Sequence, residues 1–539
     1  MEPRSPLEPG GEVLRIVRTT PIEPRTAEQE RELAQRLAAE RPAVVLSASD
    51  LHMAAGRDPR TGNFPITENF YEDEAFARWL RTTADGLDGP ALLVLNGDTF
   101  DFLRITSVPR TDAEITRWQA WLRRLEVDHP REQLAVNRTE RRFGLKTHDY
   151  RTVWKLRLIA EGHPGFFGAL AEWLGGGHTL LVVKGNHDVE LHWPLVRQAL
   201  RDLLVQHGAP VAAAQERVGF VEDGLAVGNV WIEHGHRFEA MTAVDGPPVL
   251  PGTEEIRLPI GSFINRYFIN RIETLDPFLD NIRPVNHALV ALLRRYPLSI
   301  VGTYFRAWKL VWKAIRPLRL NTPVILIFLG LMVPVLSLAV VAAAFMFPDF
   351  RHALQRLIPG RAWVERTVAA LGIAFPLLLP YLAGAARQLW REVRRLFFPS
   401  RRDDEYVEGA REALRHAFPN GGGFERVYAV MGHTHDPRAV AVENAGTEAV
   451  YLNDGTWIAI WPQDRPDLVG RVVRSFVRFD RGDSGEYAHA SLVWDDAAGA
   501  ARDAAIMIPA DDWNRRRVLR EAELPAAGEV QIALPVVAR

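Results

Sequence analysis

Several short apolar runs in the chain stop directly at clusters of Asp, His or Asn. Val44-Val45-Leu46 leads to Asp50 and His52, and Leu92-Leu93-Val94-Leu95 leads to Gly97-Asp98 and Asp101. Leu180-Leu181-Val182-Val183 leads to Gly185-Asn186-His187-Asp188, and Val230-Trp231-Ile232 leads to His234-Gly235-His236. Val427-Tyr428-Ala429-Val430 leads to Gly432-His433-Thr434-His435. Short continuous apolar runs bounded by turn residues read as buried strands. Strands that release such side chains at their C-terminal ends describe one crevice along the edge of an α/β sheet. A single cluster of this kind carries little weight; the series points to a metal site.

The composition narrows the choice of metal and partner. Lys and Arg total 65 against 67 Asp and Glu, a formal net charge of -2, which argues against a strongly electrostatic nucleic-acid binder. There is no cysteine, hence no disulfide, thiolate ligand or Cys nucleophile. Any metal must sit among His, Asp and Asn, a donor set suited to Mn²⁺, Fe or Zn²⁺. The opening residues carry Glu2, Arg4 and Glu8 with no apolar core, so no cleavable signal peptide is expected.

A length of 539 residues suggests more than one region. Residues 1–40 read as a polar extension ending in a helix from Thr26 to Glu40, with Thr26 at its N-cap. Residues 41–240 form the first half of the catalytic region, with a helical insertion over 103–165. There Trp118, Trp121, Leu122 and Leu125 recur at helical spacing, and a second helical pattern runs from Thr152 to Glu161. The insertion is either an extra packed layer or a cap over the site. Residues 391–500 supply the second half, with strands expected at Ala439–Val442, Ala449–Leu452 and Val472–Phe479, and 501–539 is a C-terminal segment.

Between the halves the pattern changes. No residue is charged from Asn321 to Pro348, nor from Thr367 to Ala386. Each stretch is long enough to cross a hydrocarbon core of about 30 Å, so 321–390 reads as a transmembrane helical hairpin. Arg306, Lys309, Lys313, Arg316 and Arg319 precede it, and Arg387, Arg391, Arg394 and Arg395 follow it. Basic flanks tend to stay cytoplasmic, which would bring both catalytic halves to that side of an inner membrane. The connecting loop also carries Arg351, Arg356, Arg361 and Arg366, a pattern that suits a shallow re-entrant hairpin equally. Residues 241–320 read as amphipathic juxtamembrane helices, either lying on the membrane or forming an ordinary surface pair.

On a strand, residues i and i+2 share a face, so Asp50 with His52, and His433 with His435, are each expected to hold one cation. Asp50, His52, Asp98, Asn186, His234, His433 and His435 are too many donors for one tetrahedral zinc. They suit a pair of divalent ions about 3.5–4 Å apart, which activate a hydroxide and clamp phosphoryl oxygens. Asp98 is the expected bridge. His187 is placed to protonate a leaving oxygen, with Asp188 either orienting it or capping a helix. Asp101 is expected behind the ligands, His236 either behind them or in contact with substrate, Asn453 in a turn, and His163, His178 and His192 in structural roles.

The ordered series resembles the calcineurin-like metallophosphoesterase superfamily, whose signature runs Asp-x-His, Gly-Asp-x-x-Asp, Gly-Asn-His-Asp, a later His, and Gly-His-x-His. The resemblance implies an α/β fold with a four-layer α/β/β/α sandwich. It implies that Asp50, His52, Asp98 and His435 hold one ion, and that Asp98, Asn186, His234 and His433 hold the other. His187 takes the place of the family's catalytic histidine, and the ions would be Mn²⁺, Fe²⁺ or Fe³⁺, or Zn²⁺. The pattern is also similar to that of UDP-2,3-diacylglucosamine pyrophosphohydrolases. The expected activity is hydrolysis of a phosphoester or pyrophosphate bond, with a lipid-linked phosphate and membrane lipid as partners. A phosphoprotein phosphatase and a catalytically retired membrane scaffold are the alternatives.

Overall fold

The computed structural model describes residues 22–59, 61–244, 246–273, 281–283, 402–444, 446–462, 470–504 and 507–508. The chain divides into two units, one of Met1–Tyr304 with Asp403–Arg539 and one of Phe305–Arg402. The hairpin expected at 321–390 lies outside the described residues, as does nearly all of 501–539. Among the described residues no helix is long and apolar enough to cross a membrane.

The described residues form a mixed α/β structure. Four of the apolar runs become the strands β1 (Val44–Ala48), β2 (Ala91–Asn96), β3 (Thr179–Val183) and, after β4 (Val218–Val221) and β5 (Gly224–Val227), β6 (Val230–Glu233). After a short β7 (Ile282–Arg283) come β8 (Arg426–Met431), β9 (Arg438–Asn444), β10 (Thr447–Asn453), β11 (Ala459–Pro462) and β12 (Arg471–Val472). The last are β13 (Ser475–Arg481), β14 (Tyr487–Asp495), β15 (Ala500–Asp503) and β16 (Met507–Ile508). A seven-stranded sheet runs β15-β14-β13-β1-β2-β3-β4, and a six-stranded sheet runs β16-β9-β10-β8-β6-β5. The pairs β1–β2, β2–β3 and β3–β4 are parallel, and so are β6–β8 and β8–β10. One strand was expected from Val472 to Phe479; instead Arg474, at φ 53°, separates β12 from β13.

Parallel strands buried on both faces need apolar residues at consecutive positions. Leu46, Leu93, Leu95, Leu180 and Val182 join one core with Phe76 and Trp79, Trp118 and Trp121, Leu156, and Phe166 and Phe167. Their neighbours Val45, Leu92, Val94, Leu181 and Val183 join a second core with Val230, Ile232, Tyr428, Val430 and Leu452 of the other sheet. A third core sets Val427, Ala429, Met431 and Tyr451 against Tyr406, Val407, Ala410 and Leu414 of the helix Arg402–Ala417.

Helices supply the covering residues. Helix α1 (Ala27–Ala39) begins at a capping box in which Thr26 and Gln29 exchange side-chain bonds with each other's backbone. Its Glu30 forms a buried bidentate pair with Arg201. Helices α2 (Asp73–Asp85), α3 (Asp112–Arg124), α4 (Arg138–Phe143), α5 (Asp149–Gly162) and α6 (Pro164–Gly175) follow. Trp118 donates its indole N–H to the Tyr150 carbonyl at 2.9 Å, and Leu122 and Leu125 join the core that Trp118 and Trp121 share with the first sheet. The helices of the insertion therefore pack on the core of the first sheet.

Trp457, just past β10, ties the late sequence to the early one. Its ring lies 5.2 Å from Phe76 and 5.1 Å from Trp79, and its N–H donates to the Ser475 carbonyl at 3.0 Å. Trp457→Ala leaves a cavity beside the Phe76 and Trp79 rings and is expected to cost about 3–5 kcal/mol of unfolding free energy, measured by urea denaturation.

Candidate metal centre

The residues after β1 and β2 continue the strands' parallel pairing beyond the sheet. The Asp50 amide donates to the Gly97 carbonyl at 3.1 Å, that of His52 to Asp98 at 2.8 Å, and that of Met53 to Thr99 at 3.1 Å. After β6 and β8 the Gly432 amide donates to the His234 carbonyl at 3.1 Å. The two sheets then meet where the His433 amide donates to the Asp50 carboxylate at 2.8 Å.

This zipping holds side chains in an uncommon backbone region. Nine non-glycine residues among the described ones have positive φ, and Asp50 (53°), His52 (46°), Asp98 (48°), His433 (66°) and His435 (58°) are among them. Each such residue costs about 1–3 kcal/mol and persists only where its surroundings fix it. The expectation that i and i+2 alternation on a strand aims Asp50 and His52 together is therefore corrected. Both lie past the strand end, and their left-handed turns, rather than the pleat, direct the side chains inward. Gly185 serves close approach, since a Cβ there would meet the Asp98 nitrogen at 2.5 Å and crowd its carboxylate.

The side chains converge. His52 Nε2 lies 3.0 Å from His435 Nε2, which is 3.1 Å from Asp50 Oδ1. Asp98 Oδ2 lies 3.2 Å from His234 Nε2 and 3.8 Å from His52 Nε2. Three groups bring potential ligand atoms within 4.8 Å of one another: Asp50, His52 and His435; His52, Asp98 and His187; Asp98, His234 and His433. Asn186 Oδ1 is buried with no hydrogen-bond partner, while Asp50 Oδ1 and His234 Nε2 face other members of the cluster, His435 and Asp98. Buried polar atoms almost always find a partner, so the bare Asn186 oxygen beside this cluster of carboxylates and imidazoles suits a cation.

Charge supports the same reading. Burial alone would raise the Asp50 and Asp98 carboxyls. The imidazoles of His435 and His234 around Asp50, and of His234 and His187 around Asp98, hold both well below the usual carboxylate range. Burial would lower His52, but bonds to Asp101 and Asp50 bring it up to about 10. His234, lowered by burial, is carried to about 10 by Asp98 and Asp50. The pocket thus recruits positive charge strongly enough to overcome desolvation.

His187 is part of the cluster, but its carboxylate partner differs from the expected one. Its Nδ1 lies 2.8 Å from Asp101 Oδ2, and its amide donates to Asp98 Oδ1 at 2.7 Å. Asp188 instead accepts from the Thr99 amide at 2.9 Å and the Gly185 amide at 2.6 Å, tying two loops together. It makes no side-chain bond as a helix cap. Asp101 is the carboxylate that orients His187, and Asp188 is an anchor for the backbone. Asn453 shapes a turn as expected, donating to the Gly432 carbonyl at 2.5 Å and accepting from the Gly455 amide at 3.0 Å. His163 sits buried between Glu68 and Asp73, and His192 faces Glu222.

Other contacts have no counterpart in the sequence reading. Glu239 Oε2 lies 2.9 Å from His433 Nε2 and accepts from the Tyr406 hydroxyl at 3.1 Å, while Thr242 Oγ1 is 3.2 Å from the same imidazole nitrogen. Ser262 donates to the Asn186 carbonyl at 2.7 Å. An acidic residue three positions after His236 was the available signal for Glu239; nothing local marks Thr242, Tyr406 or Ser262.

No protein-family model matches this chain, and no curated protein matches it. Asp98 belongs to two of the three ligand groups. Millimolar Mn²⁺ is therefore expected to raise the thermal unfolding midpoint of the wild-type chain. A concentration a hundredfold above Kd corresponds to about 2.7 kcal/mol of stabilisation. Asp98→Ala should remove most of that metal-dependent shift in a scanning calorimeter, and EDTA should reverse it in the wild type.

Proposed function

We propose that the chain is a dinuclear-metal phosphoesterase of the calcineurin-like metallophosphoesterase superfamily, built on a four-layer α/β/β/α sandwich. The observation that carries this reading is the convergence of buried Asp and His ligand atoms from the ends of strands in both sheets, within 4.8 Å of one another in each group. The three apolar cores, one between the sheets and one outside each, support the sandwich. Asp50, His52, Asp98 and His435 would hold one divalent ion, and Asp98, Asn186, His234 and His433 the other. Bound ions of this kind supply Lewis acidity toward phosphoryl oxygens and an activated water.

The chain's own residues supply the rest. Asp98 faces His52 and His234 through the same oxygen, which suits a carboxylate shared between two sites. Asp101 occupies His187 Nδ1, so Nε2 is the nitrogen left to give a proton to a leaving alkoxide. Glu239 occupies His433 Nε2 and thereby favours Nδ1 as the ligand atom. Asn186 presents its amide oxygen while Ser262 holds its backbone. The substrate class is a phosphoester or pyrophosphate. The uncharged stretches of the sequence favour a lipid-linked one, met at the cytoplasmic face of an inner membrane through the 321–390 hairpin.

Purified full-length chain supplied with Mn²⁺ should hydrolyse an aryl phosphodiester and should retain two ions on metal analysis. Asp98→Ala should abolish turnover; unchanged hydrolysis by that variant overturns the mechanism. Asp101→Asn should lower kcat by about 10²–10⁴ with little change in KM, the effect of misplacing a general acid. Asp188→Asn should instead show its main effect in stability, about 1–3 kcal/mol by chemical denaturation, because it weakens bonds to buried amides.

A further inference from the structure

The helical segment Ile260–Ile272 is amphipathic with its polarity reversed. Its buried residues are Ser262, Asn265, Arg266 and Asn270, and Glu273 is buried immediately after it. Ser262, Arg266, Asn270 and Glu273 find polar contacts on the core. Ser262 donates to the Asn186 carbonyl, Arg266 to the Gly144 carbonyl at 3.1 Å, and Asn270 to the Leu103 carbonyl at 2.7 Å. Glu273 pairs with both terminal nitrogens of Arg104, at 2.6 and 2.9 Å, and Arg104 Nε lies 3.3 Å from Asp101. The residues left part-open include the apolar Phe263, Ile264, Tyr267, Phe268 and Ile269, with the charged Arg271 exposed near the end of the segment. A surface helix on a water-soluble domain shows the opposite arrangement.

We infer that this outward apolar face docks on a bilayer surface bearing anionic headgroups. Two features favour that occupant. Beside the face runs helix α4, whose Phe143 ring packs 5.3 Å from Tyr267 and which carries Arg138 and Arg141, both exposed, and Arg142. An apolar strip beside a basic rim matches the depth profile of an interface with anionic lipid. From Glu273 the sequence also continues toward the uncharged stretches 321–348 and 367–386, with Arg306 to Arg319 preceding the first. Because Ser262 bonds the backbone of Asn186, docking on this face sets the metal centre beside the headgroup layer. The inference deepens the proposed function by giving it an orientation, but its test requires no turnover.

The chain lacks cysteine, so a single introduced thiol takes a unique spin label. Full-length chain carrying Phe268→Cys, Ile264→Cys or, as a control, Glu254→Cys is labelled and reconstituted into vesicles of phosphatidylcholine with phosphatidylglycerol. The labels at 268 and 264 should be relaxed more by oxygen than by a water-soluble nickel chelate, at a depth of about 5–10 Å into the headgroup and acyl boundary. The label at 254 should show the reverse preference. Two sites guard against one variant misfolding. Nickel access at both 268 and 264 places the face in water and overturns the inference. Closure to both reagents shows the face covered by protein, from this chain or a second copy, and overturns it equally. If the labels lie at lipid depth while the wild-type chain hydrolyses no phosphoester, the docking surface stands and the proposed activity falls.

Discussion

A bond between a backbone amide and a carboxylate joins two ends of the chain. The His433 amide donates to Asp50, whose own backbone carbonyl accepts from the Thr456 hydroxyl at 2.7 Å. Ser49 and Ser47 both donate to Asp454 at 2.7 Å, and Asn96 donates to the same carboxylate at 3.3 Å. Buried carboxylates are costly unless fully bonded. Here the cost is met by stitching the loops of one sheet to the loops of the other. The stitched loops are the ones that hold His52 beside His435, residues 383 apart in sequence. That seam adds to the backbone bonds within each sheet's loops in holding the left-handed turns at Asp50, His52, Asp98, His433 and His435.

The same seam explains the electrostatics. A cluster of buried acids would ordinarily take up protons. Surrounded by imidazoles in a fixed array, Asp50 and Asp98 stay ionised and His52 and His234 stay protonated to high pH in the ion-free pocket. Protons and metal ions compete for such a pocket, because ligands must be deprotonated to bind metal. His236 shows the complementary effect: burial first, then the electrostatic influence of neighbouring His234 and His433, hold it well below an ordinary imidazole. It lies 5.4 Å from His234 by ring centroid and remains neutral where His234 does not.

Much of this was legible in the residues. Strands buried on both faces write themselves as unbroken apolar runs, so β1, β2, β3, β6 and β8 could be placed, and with them the polar clusters at their ends. The Thr26 cap could be placed because a threonine stands directly before the helical pattern, and its partner Gln29 emerged with the structure. What could not be read was direction within a turn. Asp101 and Asp188 both stand near motif residues, and only the path of the loops sends one to His187 and the other to backbone amides. Glu239, Tyr406 and Ser262 were hidden for a different reason. Each is a single contact delivered from a segment with its own local pattern, and no periodicity announces a lone side chain. The same is true of Arg474, whose backbone breaks an expected strand without any glycine or proline to signal it.

The order in which the centre is assembled follows from its connectivity. A ribosome releases Asp50, Asp98, Asn186 and His234 early, yet β8, His433 and His435 emerge only after the whole intervening stretch has been made. During that interval β6 lacks its parallel neighbour β8, and β1 lacks its antiparallel neighbour β13. The nascent chain then carries open strand edges and an incomplete set of donors. Completion of the fold and acquisition of the full donor set are one late event, so a chain truncated before residue 435 lacks the last of these donors however well its first half is packed.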